Sequence, residues 1–166
     1  MTRRLRGDDR AVSVAITHVL TIGITAILIS GLMIGAGSML DSEKERGAKT
    51  SLETTGERLA GEIASVDRSA TGSDTVTLRV DHPRRVSGSS YSIDMNSDAD
   101  GDCSSFLLEE SETCLTLTAH SEDAEVHIPM TVEESAIDTG ASVRGGPITV
   151  KYDGSTGKIT LESGHQ

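Results

Sequence analysis

The sequence predicts an α+β protein. A long N-terminal helix, membrane-spanning in its first half, is followed by a small antiparallel β-sheet or sandwich head. Three observations predict this. Residues Ala11 to Leu40 form a run of thirty without Asp, Glu, Lys or Arg. From Leu52 onward, apolar residues recur at helical spacing. Beyond residue 71 the apolar period switches to two, the period of strands that expose one face. The organisation read from these shifts is a basic segment at 1–10, a transmembrane helix at 11–40, an amphipathic continuation at 41–70 and an extracytoplasmic β domain at 71–166.

The uncharged run comes first. Thirty helical residues span about 45 Å, and a hydrocarbon core needs only about 20 residues. Arg3, Arg4, Arg6 and Arg10 precede the run and DSEKER follows it. This excess of arginine places the N-terminus in the cytoplasm and the remainder outside. A removable secretory signal has an apolar region of only about 7–15 residues. The late small residues Gly35, Ala36, Gly37 and Ser38 keep that reading open.

Within the run, Ser13, Thr17, Thr21 and Thr25 are spaced by four, which sets four hydroxyls on one helix face. Gly31 and Gly35 add a small-residue patch. Small residues let helices approach closely, and hydroxyls bond across helices in lipid. These six residues are therefore the candidate helix-packing set. The competing reading is that the hydroxyls bond only their own backbone. His18, near the cytoplasmic end, is expected to reach the interface.

The sequence Arg6-Gly7-Asp8-Asp9-Arg10-Ala11-Val12-Ser13, followed by the apolar run, resembles the N-terminus of archaeal type IV pilin-like and archaellin-like proteins, especially haloarchaeal ones. The resemblance covers roughly residues 3 to 40. It implies a basic leader, Met1 to Gly7, cut by a prepilin-type peptidase between Gly7 and Asp8. It also implies that the helix is retained and packs against other pilin-like subunits in a filament. Residue 14 is Val, where the common haloarchaeal pilins have Pro.

Residues 41 to 70 read as a continuing helix. Leu52, Leu59, Ile63 and Val66 share one face and charges fill the other. Gly47, Gly56 and Gly61 work against it, since each glycine in a helix interior is unfavourable.

The β region follows. Alternation marks TVTLRV, YSIDM, CLTLTA, EVHIPM, ITVKY and KITLES as strands, and SSFLLEE is read as one more. DHPRRVSGSS, NSDADGD, RGGP and DGSTG break the pattern as turns, and DGSTG is expected to close a β-hairpin.

After residue 40 the chain holds 24 acids against 11 Lys and Arg, a net charge of −13. Such a surface repels phosphate backbones, which argues against nucleic-acid binding. Acidic composition with few aromatics also accompanies disorder, but apolar alternation persists to the C-terminus and favours a folded domain. The acid-rich, Lys-poor composition resembles that of halophilic archaeal proteins.

Cys103 and Cys114, with ten residues between them, are a candidate disulfide beyond a membrane segment. The alternative is two buried thiols. Asn96, Asp98, Asp100 and Asp102 match the opening of an oxygen-donor calcium loop, but the position of the closing bidentate Glu is Leu107. Calcium is the single cofactor candidate, set against an ordinary acidic turn. His82, His120, His127 and His165 are scattered. No spacing of nucleophile, base and orienting group points to an enzyme.

Overall fold

A computed structural model describes residues 9–70, 72–97, 103, 113–121, 123–140 and 142–164, the side chains of 9–14 aside. The chain divides into two compact units, Met1–Ser42 and Glu43–Gln166. Helix α1 runs Asp9–Ser69, so its first part belongs to one unit and its second part to the other.

The second unit carries seven described strands: β1 (Val76–Asp81), β2 (Tyr91–Ser97), β3 (Thr113–Ala119), β4 (Ala124–Pro129), β5 (Ser142–Arg144), β6 (Pro147–Asp153) and β7 (Lys158–Ser163). They form a three-stranded sheet in the order β1-β6-β7 and a four-stranded sheet in the order β4-β3-β2-β5. Every pairing between strands is antiparallel. The six runs marked by alternation are all strands. β5 is the strand the sequence did not announce, and SSFLLEE lies outside the described residues.

The DGSTG hairpin forms as expected, with Asp153 paired to Lys158. Asp153 caps its own turn. Its carboxylate accepts from the Ser155 hydroxyl at 2.6 Å and the Ser155 amide at 2.9 Å. These two bonds hold its carboxyl below the usual range.

Alternation along the strands becomes burial. In β2, Tyr91, Ile93, Met95 and Ser97 are buried, and the residues between them are half-buried. In β4, Val126 and Ile128 are buried while Glu125 and Pro129 are exposed. From α1, Leu52, Leu59, Ile63 and Val66 join the same core, as their spacing predicts, together with Ala48. One hydrophobic cluster takes in this helix stripe and both sheets.

Gly56 explains how the helix sits so close. A Cβ there would fall 2.6 Å from Cγ1 of Ile128 and 2.9 Å from Cδ1 of Leu117. Its missing side chain lets α1 approach β3 and β4. A parallel bridge from Ile137 to Ile159 ties the 3-10 turn Glu134–Ala136 to β7.

Cys103 and Cys114 form a disulfide, both residues buried. It fastens residue 103 to β3. Disulfides of this kind contribute about 2–4 kcal/mol by restricting the unfolded chain.

Candidate membrane-spanning and assembly segment

The first unit contains the apolar part of α1. Its most apolar 18-residue window has a mean hydropathy of 2.2, and none of it is buried. Ile16, Leu20, Ile27, Leu28, Leu32 and Ile34 are all between 60% and 76% exposed. A helix that is apolar on every side requires a non-aqueous surrounding on every side. This one is long and apolar enough to cross a membrane.

The candidate packing residues divide. Thr21 donates its hydroxyl to the Thr17 carbonyl and Thr25 to the Thr21 carbonyl, both at 2.8 Å. Ser30 does the same to Ala26. These donors are satisfied within the helix, so their spacing does not supply free donors for a neighbouring helix. The hydroxyl oxygens keep their acceptor capacity. Gly31 and Gly35 have open space where a Cβ would stand, which leaves the backbone there approachable. The Ser13 side chain lies outside the described residues, as do both candidate cleavage residues, Gly7 and Asp8.

The second unit holds two polar clusters that sequence spacing did not reveal. In the first, His82, just past β1, is 4% exposed. Its Nε2 lies 2.9 Å from Oε2 of Glu62 on α1, and Arg58 Nε lies 3.1 Å from the other oxygen of that carboxylate. His82 Nδ1 is buried without a hydrogen-bond partner. The cluster joins residues twenty apart in sequence, so its polar link between helix and β1 end appears only once the chain is folded.

The second cluster lies on the less buried face of the four-stranded sheet. Asn96 Nδ2 donates to Thr116 Oγ1 at 2.9 Å, and Thr116 Oγ1 lies 3.1 Å from His127 Nδ1. His127 Nε2 lies 3.2 Å from Glu125, whose other oxygen accepts from Thr118 at 3.2 Å. Hydroxyl, imidazole and carboxylate stand in the order of a nucleophile triad. However, Thr116 is only 8% exposed and its oxygen already accepts from Asn96. The arrangement stitches β2, β3 and β4 together along one face. His127 is half-buried between buried Val126 and Ile128, in keeping with the polar side its alternation predicts.

Of the calcium-loop residues, Asn96 belongs to β2, paired with Cys114, and its amide nitrogen is engaged by Thr116. Asp98, Asp100 and Asp102 lie outside the described residues. Among the described residues, no group of three His, Cys, Asp or Glu side chains is placed to hold a metal.

No curated protein and no solved structure matches the chain. One family model does, and its match takes in the apolar stretch of α1 and the β unit alike. With residues 7–163 matched, the chain belongs to the family of unknown function DUF7266.

Proposed function

We propose that this is a pilin-like cell-envelope protein, a subunit or accessory component of a type IV pilus-like surface filament with a role in adhesion or surface structure. The observation that carries the reading is the two-part use of one helix. Residues 15–40 of α1 expose apolar side chains all round, while residues 48–66 of the same helix are a core element of a β unit. A retained apolar rod joined to a folded head is the form a filament subunit requires. The family match begins at Gly7, so the apolar helix is part of the shared domain. The arginines before the run favour a cytoplasmic N-terminus. The disulfide favours an oxidising, extracytoplasmic place for the β unit. In this reading a prepilin-type peptidase removes Met1 to Gly7, the partners are the membrane and other pilin-like subunits, and the protein is not an enzyme.

One observation favours a second reading, a single-pass anchored β-domain protein with a binding or envelope-structural role and no filament. The hydroxyls of Thr21 and Thr25 are satisfied within their own helix, as in a plain anchor.

N-terminal sequencing of the protein from native membranes separates the two. A start at Asp8 supports leader removal and assembly. A start at Met1 or Thr2 supports the plain anchor. A start near Asp41 overturns both and makes this a secreted β domain.

A further inference from the structure

The two sheets end in the edge strands β1, β7, β4 and β5, and the last three are blunted. On β7, the Asp138 amide donates to the Ile159 carbonyl at 3.0 Å and covers part of the edge. β5 is only three residues long. On β4, the Met130 amide donates to the Thr113 carbonyl at 3.0 Å, which sets the alternation so that Pro129 lies on the outward side without an N–H.

β1 is not blunted in these ways. The His82 amide donates to the Gly146 carbonyl at 3.3 Å, one step beyond the Asp81–Pro147 pair. Hydrogen-bonded pairs recur at every second residue of an antiparallel ladder. Val76, Leu78 and Val80 therefore bond to β6, while Thr77, Arg79 and Asp81 turn their N–H and C=O groups outward. Among the described residues these groups meet no backbone partner. Val76, Leu78 and Val80 are only half-buried, whereas Ile148 and Val150 beside them on β6 are buried. That step in burial is expected where nothing covers the edge.

Charge says what the edge accepts. The chain beyond residue 40 carries a net of −13, so a second copy is repelled over most of the surface. The three-stranded sheet is an exception. Each of its strands holds one cation and one carboxylate: Arg79 and Asp81, Lys151 and Asp153, Lys158 and Glu162. Arg79 and Asp81 are both exposed, lie on one face of β1, and form no ion pair among the described residues. Glu62 of α1, which meets the strand end through His82, is itself paired with Arg58.

We propose that β1 is an interaction edge for a second copy of this chain, whose own β1 pairs with it antiparallel about a two-fold axis at Val80. The inference goes beyond the filament reading and concerns the β unit alone. In this register each Arg79 stands opposite the other copy's Asp81, and symmetry makes the contact twice. The outward N–H and C=O groups of both residues are then paired. A shift of two residues one way sets Arg79 against Arg79, and two the other way sets Asp81 against Asp81. Like charges directly opposite are destabilising, so charge selects the register centred on Val80. The two three-stranded sheets become one sheet of six.

The test uses the full chain in detergent micelles with Val80→Cys. The native cysteines are bonded to each other, which leaves the added thiol as the one that reacts. Position 80 is a non-hydrogen-bonded pair in the proposed edge, with Cα atoms about 4.5 Å apart, inside the disulfide range. Mild oxidation should join two copies through Val80→Cys, and a control with Glu162→Cys on β7 should stay monomeric. Adding Asp81→Arg to Val80→Cys makes both contacts like-charged and should slow cross-linking about 10-fold or more. Exchanging the charges, Arg79→Asp with Asp81→Arg, should restore it to within about threefold. A variant that merely failed to fold would not be rescued by this exchange.

The unaltered chain supplies a second readout. Amide exchange at Thr77, Arg79 and Asp81 should slow as the number of chains per micelle rises. Absence of the Val80→Cys cross-link, equal cross-linking through Glu162→Cys, no rescue by the exchanged charges, or unchanged exchange at those three amides overturns the edge. None of these outcomes bears on the N-terminal processing that tests the filament reading.

Discussion

Two stretches of one helix meet opposite fates. Between residues 15 and 40, α1 exposes large apolar side chains on every side. Between 48 and 66 it buries a single stripe of Ala48, Leu52, Leu59, Ile63 and Val66 and turns charges such as Glu53, Glu57 and Arg58 outward. The backbone is the same, so the difference lies in where apolar residues fall around it. A stripe is satisfied by one sheet, whereas an unbroken apolar surface calls for lipid or other helices on all sides.

The sharpest way to break this comparison is to truncate one leucine in each stretch. Leu59 is fully buried, and Leu59→Ala should destabilise the β unit by about 2–5 kcal/mol. Leu28 is 61% exposed, and Leu28→Ala should change the same unfolding transition by less than about 0.5 kcal/mol. Urea melts of the two variants in lipid nanodiscs, followed by circular dichroism, read both. Equal losses would mean that the apolar stretch is folded into the same cooperative unit.

Alkali offers a second separation. Tyr91 is 1% exposed and donates its hydroxyl to the Pro83 carbonyl at 2.7 Å. Burial pushes its pKa up to about 12 from 10.0, against a smaller lowering by Thr55. Below pH 10 both folded and unfolded chains keep the proton, and stability does not depend on this group. Between pH 10 and 12 the unfolded chain loses a proton that the folded chain holds, so stability falls as pH rises. The full loss approaches about 2–3 kcal/mol by pH 12. Denaturant midpoints from pH 9 to 12 should show this fall, and Tyr91→Phe should flatten it. Tyr152 is the other tyrosine and the chain has no Trp, so tyrosinate absorbance in Tyr152→Phe reports Tyr91 alone. A first ionisation of Tyr91 near pH 10 in the folded protein would contradict the burial argument.

Much of this division was legible in the sequence because it rests on periodicity. The uncharged run, the stripe at Leu52, Leu59, Ile63 and Val66, and the period-two strands are local patterns, and each became the element it announced. The helix stripe needed no knowledge of the sheets to be located. What escaped was set by long-range approach. β5 is three residues long, too short to show alternation, and exists because Ile93 offers a pairing edge to Val143. The Glu62–His82 contact joins a charged helix face to a strand end, and nothing in HPRR indicates that its histidine is buried. The threonine spacing was visible, but spacing alone cannot tell whether a hydroxyl bonds its own backbone or a neighbour. In the folded chain Thr21 and Thr25 choose the carbonyl four residues back.

The glycines of α1 carry the same lesson, and they give the finest test of the comparison. By propensity alone, Gly56 and Gly61 are equal faults in the helix, each about 0.8–1.0 kcal/mol worse than alanine. Packing separates them. At Gly61 nothing lies within 4 Å of a Cβ, so Gly61→Ala should stabilise the unit by about 0.5–1 kcal/mol. At Gly56 the new methyl would press on Ile128 and Leu117, side chains fixed in the core. Overpacking of that kind costs about 1–3 kcal/mol and outweighs the gain in propensity. Gly56→Ala should therefore lower the urea midpoint while Gly61→Ala raises it. If both raise it equally, α1 does not lie against β3 and β4 as closely as Gly56 implies. Opposite signs five residues apart would show that the second stretch of the helix is held by one sheet-facing line, with its other side free to change.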